Sequence, residues 1–272
     1  MSTKRKNELQ AEKSINKIID EMTLFDDDLM SMVFDENIPA AELLLRIVLR
    51  REDIEVLSVI GQKELENPVV GGRNIRLDIL AKDRQGDCFN AEVQRSNVGA
   101  DERRVRFHSS MIDSRMLKEG QAFKELSESY VIMITQNDYF GYGLPVYTIN
   151  RHIEELGLGF RDGSHILYVN GSYRGEDPLG RLMGDFGCKD AKDMYYTELA
   201  NGVRHFKEEG GRELMCQAVE EYAKKKAIET EIKAGIAYGV DKNQIITRVY
   251  EEYGIDRAEA EKLYELYTVV TV

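Results

Sequence analysis

Ile75-Arg76-Leu77-Asp78-Ile79-Leu80-Ala81-Lys82 runs into the turn Arg84-Gln85-Gly86-Asp87 and out through Cys88-Phe89-Asn90-Ala91-Glu92-Val93-Gln94-Arg95. Both arms have strand length and strand patterning, and a polar turn containing glycine joins them, which is a β-hairpin signature. Side chains alternate faces along a strand. Asp78 therefore shares a face with Arg76, Leu80 and Lys82, and Glu92 shares one with Gln94. Antiparallel pairing brings Asp78, Glu92 and Gln94 onto one surface of two neighbouring strands. Two carboxylates held that close repel each other, so one of them must keep a proton unless a cation lies between them. Hard oxygen ligands of this kind suit magnesium or manganese.

The flanking text is consistent with helices and further strands. Leu9, Ile15, Ile18 and Ile19 recur at helical spacing through residues 4–21. Asp26-Asp27-Asp28 reads as an N-cap for the apolar run from Leu29 to Phe34, and Pro39 opens the next helix as a first-turn proline. Ile54 to Ile60 has the composition of a first strand, and Gly61 to Gly72, with Pro68 and a Gly-Gly pair, that of a loop. A helix is expected from Glu102 to Glu119, closed by Gly120, and Ser129 to Thr135 reads as a buried central strand. Gly141 to Asn150, with Tyr142, Pro145 and Tyr147, reads as a loop and then a short strand, His165 to Asn170 as another strand, and Ala191 to Gly202 as a helix.

Asp78, a hairpin turn and Glu92-x-Gln94 together resemble the PD-(D/E)XK nuclease core, in a variant with Gln where Lys is usual. Asp27-Asp28-Leu29-Met30 leading to Phe34, Glu42-Leu43-Leu44-Leu45 and the segment from Arg103 to Leu126 narrow the likeness to the recombination-promoting nuclease, or transposase, family of that superfamily. The resemblance covers roughly residues 22–150. It implies an α/β fold: a restriction-endonuclease-like core with a mixed central sheet flanked by helices. It implies a magnesium-dependent DNA endonuclease, with manganese as an alternative ion, that promotes recombination or transposition. Asp78 and Glu92 would hold the metal with the backbone carbonyl of Val93. Gln94 would orient the attacking water, and Glu42, on the first core helix, would join the metal shell. Lys82, on the Asp78 face, is a candidate for the missing cation.

Arg103, Arg104, Arg106 and His108 cluster on the expected basic helix, where they suit phosphate contact without base reading. A solvated face paired with Asp101, Glu102 and Asp113 is the plainer alternative. Two other functions compete with cleavage. One is a DNA-binding or assembly module that keeps the fold without catalysis. The other is an interaction protein in which Asp78 and Glu92 merely pair with Arg76 and Arg95.

The 272 residues carry a net charge of −12, which argues against non-specific coating of nucleic acid but leaves room for a local basic patch. Cys88, Cys188 and Cys216 are widely spaced, as are His108, His152, His165 and His205, so no zinc-type motif forms and a reducing cytoplasm is expected. No apolar run approaches the roughly 18 residues of a membrane span, and no apolar signal core follows the basic N-terminus. The expected division is an N-terminal helix at 1–22, a nuclease-like core at 23–176 and a helical accessory region at 177–272. In the last region Tyr238-Gly239-Val240-Asp241 and Tyr253-Gly254-Ile255-Asp256 repeat 15 residues apart. In each, glycine stops one helix and aspartate caps the next. The apolar faces of these short helices would pack on each other or on a partner, with homo-oligomer contacts as a candidate.

Overall fold

The computed structural model describes residues 13–69 and 71–269. Residues 13–21 are helical (α1), and the start of the expected N-terminal helix, residues 4–12, lies outside the described residues. The described residues divide into two compact units, one of residues 17–213 and one of residues 13–16 with 214–269.

In the larger unit α2 (Asp27–Phe34) and α3 (Ile38–Leu49) precede β1 (Val56–Leu65), β2 (Ile75–Asp83) and β3 (Cys88–Gln94). Then come α4 (Glu102–Asp113), β4 (Ser129–Thr135), β5 (Val146–Ile149), the small pair β6 (His152–Ile153) and β7 (Leu158–Gly159), and β8 (Ser164–Asn170). One sheet of six strands runs in the order β1-β2-β3-β4-β8-β5. Its first three strands are an antiparallel meander, and β3, β4 and β8 are parallel. The fold is therefore α/β with a mixed sheet. β4 sits between two parallel neighbours and all seven of its residues are buried, as its uninterrupted apolar text requires.

Helix α4 covers one face of the sheet. Val105, Met111 and Ile112 pack there with Leu77, Val131, Met133 and Tyr168. Helix α3 lies on the other face, where Val48 and Leu49 approach Tyr130, His165 and Leu167. Asn37 caps α3 by accepting from the Ala40 N–H, with Pro39 in the first turn. The aspartate run does not cap α2 in the same way. Asp26 stands at the N-cap position without a capping bond, because its carboxylate is taken by the Thr23 N–H at 2.8 Å and by Arg95 at 2.7 Å.

Three expected boundaries move. β1 continues through Gly61 to Leu65, so the following loop is shorter than 61–72. Gly61 belongs in the strand because α2 crosses it closely: a Cβ there would collide with the Ser31 carbonyl. α4 ends at Asp113, six residues before Glu119. The Ser114 hydroxyl and the Arg115 guanidinium both donate to the Met111 carbonyl and satisfy it without another turn. The helix expected at 191–202 is a short 3-10 turn at Ala191–Asp193 followed by α6 (Thr197–Glu208).

The division expected at 176/177 also moves. α5 (Pro178–Phe186) and α6 belong to the larger unit, where both pack against α3 and α6 also against α2. Lys207 of α6 is buried and donates to the carbonyls of Asp20, Met22 and Lys189, pinning the end of α1 to this unit. In the smaller unit the C-terminal half of α7 (Arg212–Ala237) packs with α8 (Lys242–Tyr253) and α9 (Arg257–Val269). Ile228, Ile232, Ile245, Ile246, Val249, Ala260 and Tyr267 form its core. The two repeat helices thus close on each other within one chain. Gly254 adopts φ +61° and Asp241 caps α8, as the repeat predicts.

Candidate active site

β2 and β3 stay paired from the turn as far as Ile79 opposite Ala91, and there the ladder ends. The next residues along the same register are Asp78 and Glu92. Their side chains replace the main-chain bonds that the parting strands no longer make. The Val93 N–H donates to Asp78 Oδ2 at 2.9 Å, and the Asp78 N–H donates to Glu92 Oε1 at 3.2 Å. The two carboxylates are thereby locked together inside the protein, with Asp78 6% exposed and Glu92 fully buried.

Burial drives the Asp78 carboxyl well above the ordinary carboxylate range, and the charge of Glu92 drives it further. The Val93 N–H opposes the shift, Asp27 adds to it, and Arg104 opposes it more weakly.

Asp78 is irregular on its other flank too. Gly61 opposite Ile79 and Lys63 opposite Leu77 place Gln62 across from Asp78 in the β1–β2 ladder. Gln62 adopts φ +50°, a left-handed conformation that costs a residue with a side chain of order 1 kcal/mol or more. Its amide donates to Asp28 Oδ1 at 3.1 Å, which ties the N-terminus of α2 to this end of the sheet. The Asp28 carboxyl is also raised, by burial first and then by Asp27.

Glu92 is gripped by residues of β3 and α4. Asn90, two positions earlier on the same strand face, donates from Nδ2 to Glu92 Oε1 at 2.8 Å and to the Ile79 carbonyl at 3.1 Å. Arg104 Nη2 donates to Glu92 Oε2 at 3.4 Å, and His108 Nδ1 stands 3.6 Å from Oε1. Among the described residues, Asn90 Oδ1 and His108 Nδ1 are buried without a hydrogen-bond partner. Arg104 also donates to the Gly99 carbonyl at 3.0 Å. Gly99 lies in the 3-10 turn Asn97–Ala100, and a Cβ on it would strike Gln94 Oε1. Glycine there makes room for the Gln94 side chain at the end of β3.

Residues 33–142 match the PD-(D/E)XK nuclease family transposase model. Neither a curated protein nor a solved structure matches the chain. The matched stretch of this nuclease family begins in the last turn of α2 and runs through β4 into the turn after it. It contains Asp78, Asn90, Glu92, Gln94, Arg104 and His108. The match supports a nuclease- or transposase-like function, and with it a DNA substrate. No helix among the described residues is long and apolar enough to cross a membrane.

Of the residues expected at the nuclease-family site, Asp78, Glu92, Val93, Arg104 and His108 converge, and Gln94 lies beside Gly99. Glu42 does not join them. Its carboxylate accepts from the Val56 N–H at 2.9 Å and pairs with Arg46 at 3.1 Å. Val56 pairs with Asp83, five residues along β2 from Asp78, or roughly 16 Å at strand rise. The acidic residues that a helix does bring to this end of the sheet are Asp27 and Asp28 of α2. Lys82 is exposed opposite Cys88, four residues from Asp78, and the cation beside the carboxylates is Arg104 instead. Arg76 and Arg95 turn to Asp27 and Asp26, not to Asp78 and Glu92. Arg103 and Arg106 are exposed on α4. Asn90 escaped the sequence reading, although its spacing of two from Glu92 was the signal for a shared face.

Nucleases of this superfamily typically use divalent metals. No group of three or more His, Cys, Asp or Glu side chains among the described residues is set to hold an ion as it stands. The donor chemistry at Asp78 and Glu92 nevertheless fits one. Two carboxylates are forced together, and the orphaned amide oxygen of Asn90 belongs to the residue that grips Glu92. Val93 contributes as well. In an extended strand the N–H and C=O of one residue point to the same side. The Val93 carbonyl therefore faces the Asp78 side, like its N–H.

Proposed function

We propose that this protein is a metal-dependent DNA endonuclease that hydrolyses phosphodiester bonds, with a role in recombination or transposition. The observation that carries the reading is the buried Asp78–Glu92 pair at the point where β2 and β3 separate. Burying two like charges together costs stability and serves no packing purpose. A divalent cation shared by them removes that cost.

Asp78, Glu92 and the Val93 carbonyl would hold magnesium or manganese. Bound there, the ion supplies Lewis acidity toward a phosphate oxygen and a lowered pKa for a coordinated water. Asn90 fixes the orientation of the Glu92 carboxylate through Oε1. Gln94 can orient a water by hydrogen bonding but brings no charge to offset the negative charge that grows on the phosphate. Arg104 brings that charge from α4. Arg103 and Arg106, exposed on the same helix, suit contacts to the DNA backbone, which position the duplex without reading its bases.

Nicking of plasmid DNA by the full chain, with magnesium or manganese and with EDTA, tests the proposal. Cleavage should need the metal, and Asp78→Ala should abolish it while DNA binding persists. An Asp78→Ala protein that cuts at the wild-type rate would refute the assignment.

A further inference from the structure

Both oxygens of Glu92 are already engaged, and this bears on how a cation enters. Oε1 takes the Asp78 N–H and the Asn90 amide, with His108 Nδ1 close behind. Oε2 takes Arg104. Three of these four groups cannot leave. The Asp78 N–H is main chain in a strand, Asn90 is fully buried, and His108 is 3% exposed between α4 and the sheet. Arg104 differs from them. Its side chain is 39% exposed, its bond to Glu92 is long at 3.4 Å, and its stem rises from the helix surface. It also has two other anchors, the Gly99 carbonyl at 3.0 Å and His108 Nε2 at 3.5 Å.

We propose that Arg104 is a built-in placeholder for the metal: its guanidinium occupies the divalent cation's seat on Glu92 Oε2 and yields it when the ion binds. This rests on the proposed metal-dependent activity and adds a regulatory step to it. In the metal-free protein the guanidinium neutralises part of the buried acidic pair, so the site keeps its shape without an ion. Arriving metal and Arg104 compete for the same oxygen. Once displaced, the guanidinium remains tethered through Gly99 beside the site, with its donors free for an anionic group. A DNA phosphate drawn in by the bound cation is such a group, and the fork geometry of arginine matches it. Metal binding and phosphate capture are thereby linked through one side chain.

The test is calorimetric titration of the full-length protein with manganese, without DNA, for wild type, Arg104→Gln and Arg104→Met. Arg161→Gln, a change of equal charge at an exposed position, serves as the control. Removal of the competing cation should tighten manganese binding about tenfold in both Arg104 variants, and the control should stay within about twofold. The metal-free Arg104 variants should also melt lower than wild type, and manganese should raise their melting temperature by more than it raises the wild type's. Affinity for a short duplex in calcium should fall in the Arg104 variants. Unchanged or weaker manganese binding in Arg104→Gln and Arg104→Met, beside measurable binding in wild type, overturns the placeholder role and leaves the nuclease reading standing. Absence of manganese binding in wild type and variants alike overturns both. Binding that appears only in the Arg104 variants supports the placeholder most strongly.

Discussion

Asp78→Asn in the metal-free protein isolates the electrostatic strain at the site. Asparagine keeps an oxygen for the Val93 N–H, which lies 2.9 Å from Asp78 Oδ2, and removes the charge. In the wild type the Asp78 carboxyl is raised far above its reference value of 3.8, by burial and by Glu92. A raised folded-state pKa means that the folded protein holds this proton more tightly than the unfolded chain does. The stability from that proton is fully present below the unfolded pKa and is lost as pH rises through the folded one. Across that window wild-type stability falls by up to about 1.4 kcal/mol per pH unit from this group. Asp78→Asn has no such loss. It should be more stable than wild type at pH 8 in EDTA, by about 1–3 kcal/mol on the scale of removing buried charge. In a domain of this size that is roughly 3–10 °C in melting temperature. The advantage should shrink as pH falls toward 4. Thermal and urea unfolding at several pH values measures it. Added manganese should reverse the order by stabilising only the wild type. An Asp78→Asn protein that is less stable than wild type by the same amount at pH 5 and pH 8 would show that Asp78 is an ordinary hydrogen-bond acceptor, and the argument from charge strain would fall.

Two further outcomes concern the surroundings of the pair. Glu42→Gln keeps an acceptor for the Val56 N–H and loses only the partly exposed pair with Arg46, so it should cost about 1 kcal/mol or less and leave cleavage within about twofold. A tenfold loss of manganese affinity in that variant would put Glu42 back in the metal shell. Gly99→Ala sets a methyl group against Gln94 Oε1, the mobile end of a side chain, so the fold should lose about 1 kcal/mol at most while kcat drops about tenfold or more from misplacement of Gln94. A Gly99→Ala enzyme with wild-type kcat would show that the Gln94 position is immaterial.

The hairpin was legible because its information is local. Period-two alternation, a glycine turn and a carboxylate on each arm suffice to place Asp78 and Glu92 on one surface, and the fold joins them there. β4 was legible for the same kind of reason, since the uninterrupted apolar run from Tyr130 to Ile134 has no stable place outside a sheet interior. Glu42 misled because helical periodicity shows which residues share a face of α3 but not which end of the sheet that helix covers. Gln62 falls in the loop that Pro68 and Gly71-Gly72 suggest from Gly61 onward, whereas Gly61 is a close-contact glycine inside β1.

The amino-acid sequence by itself determined the strands, the turn between them and the pairing of two acids, because these follow from the stereochemistry of neighbouring residues. Tertiary structure alone decided which groups come to the Asp78–Glu92 end of the sheet: Arg104 rather than Lys82 beside Glu92, Asp27 and Asp28 rather than Glu42 from a helix, and a turn at Gly99 that admits Gln94. The reason is physical. A buried charge takes its counterion from whatever the packing of helices on the sheet brings within a few ångströms, and that packing depends on contacts between segments far apart in the chain.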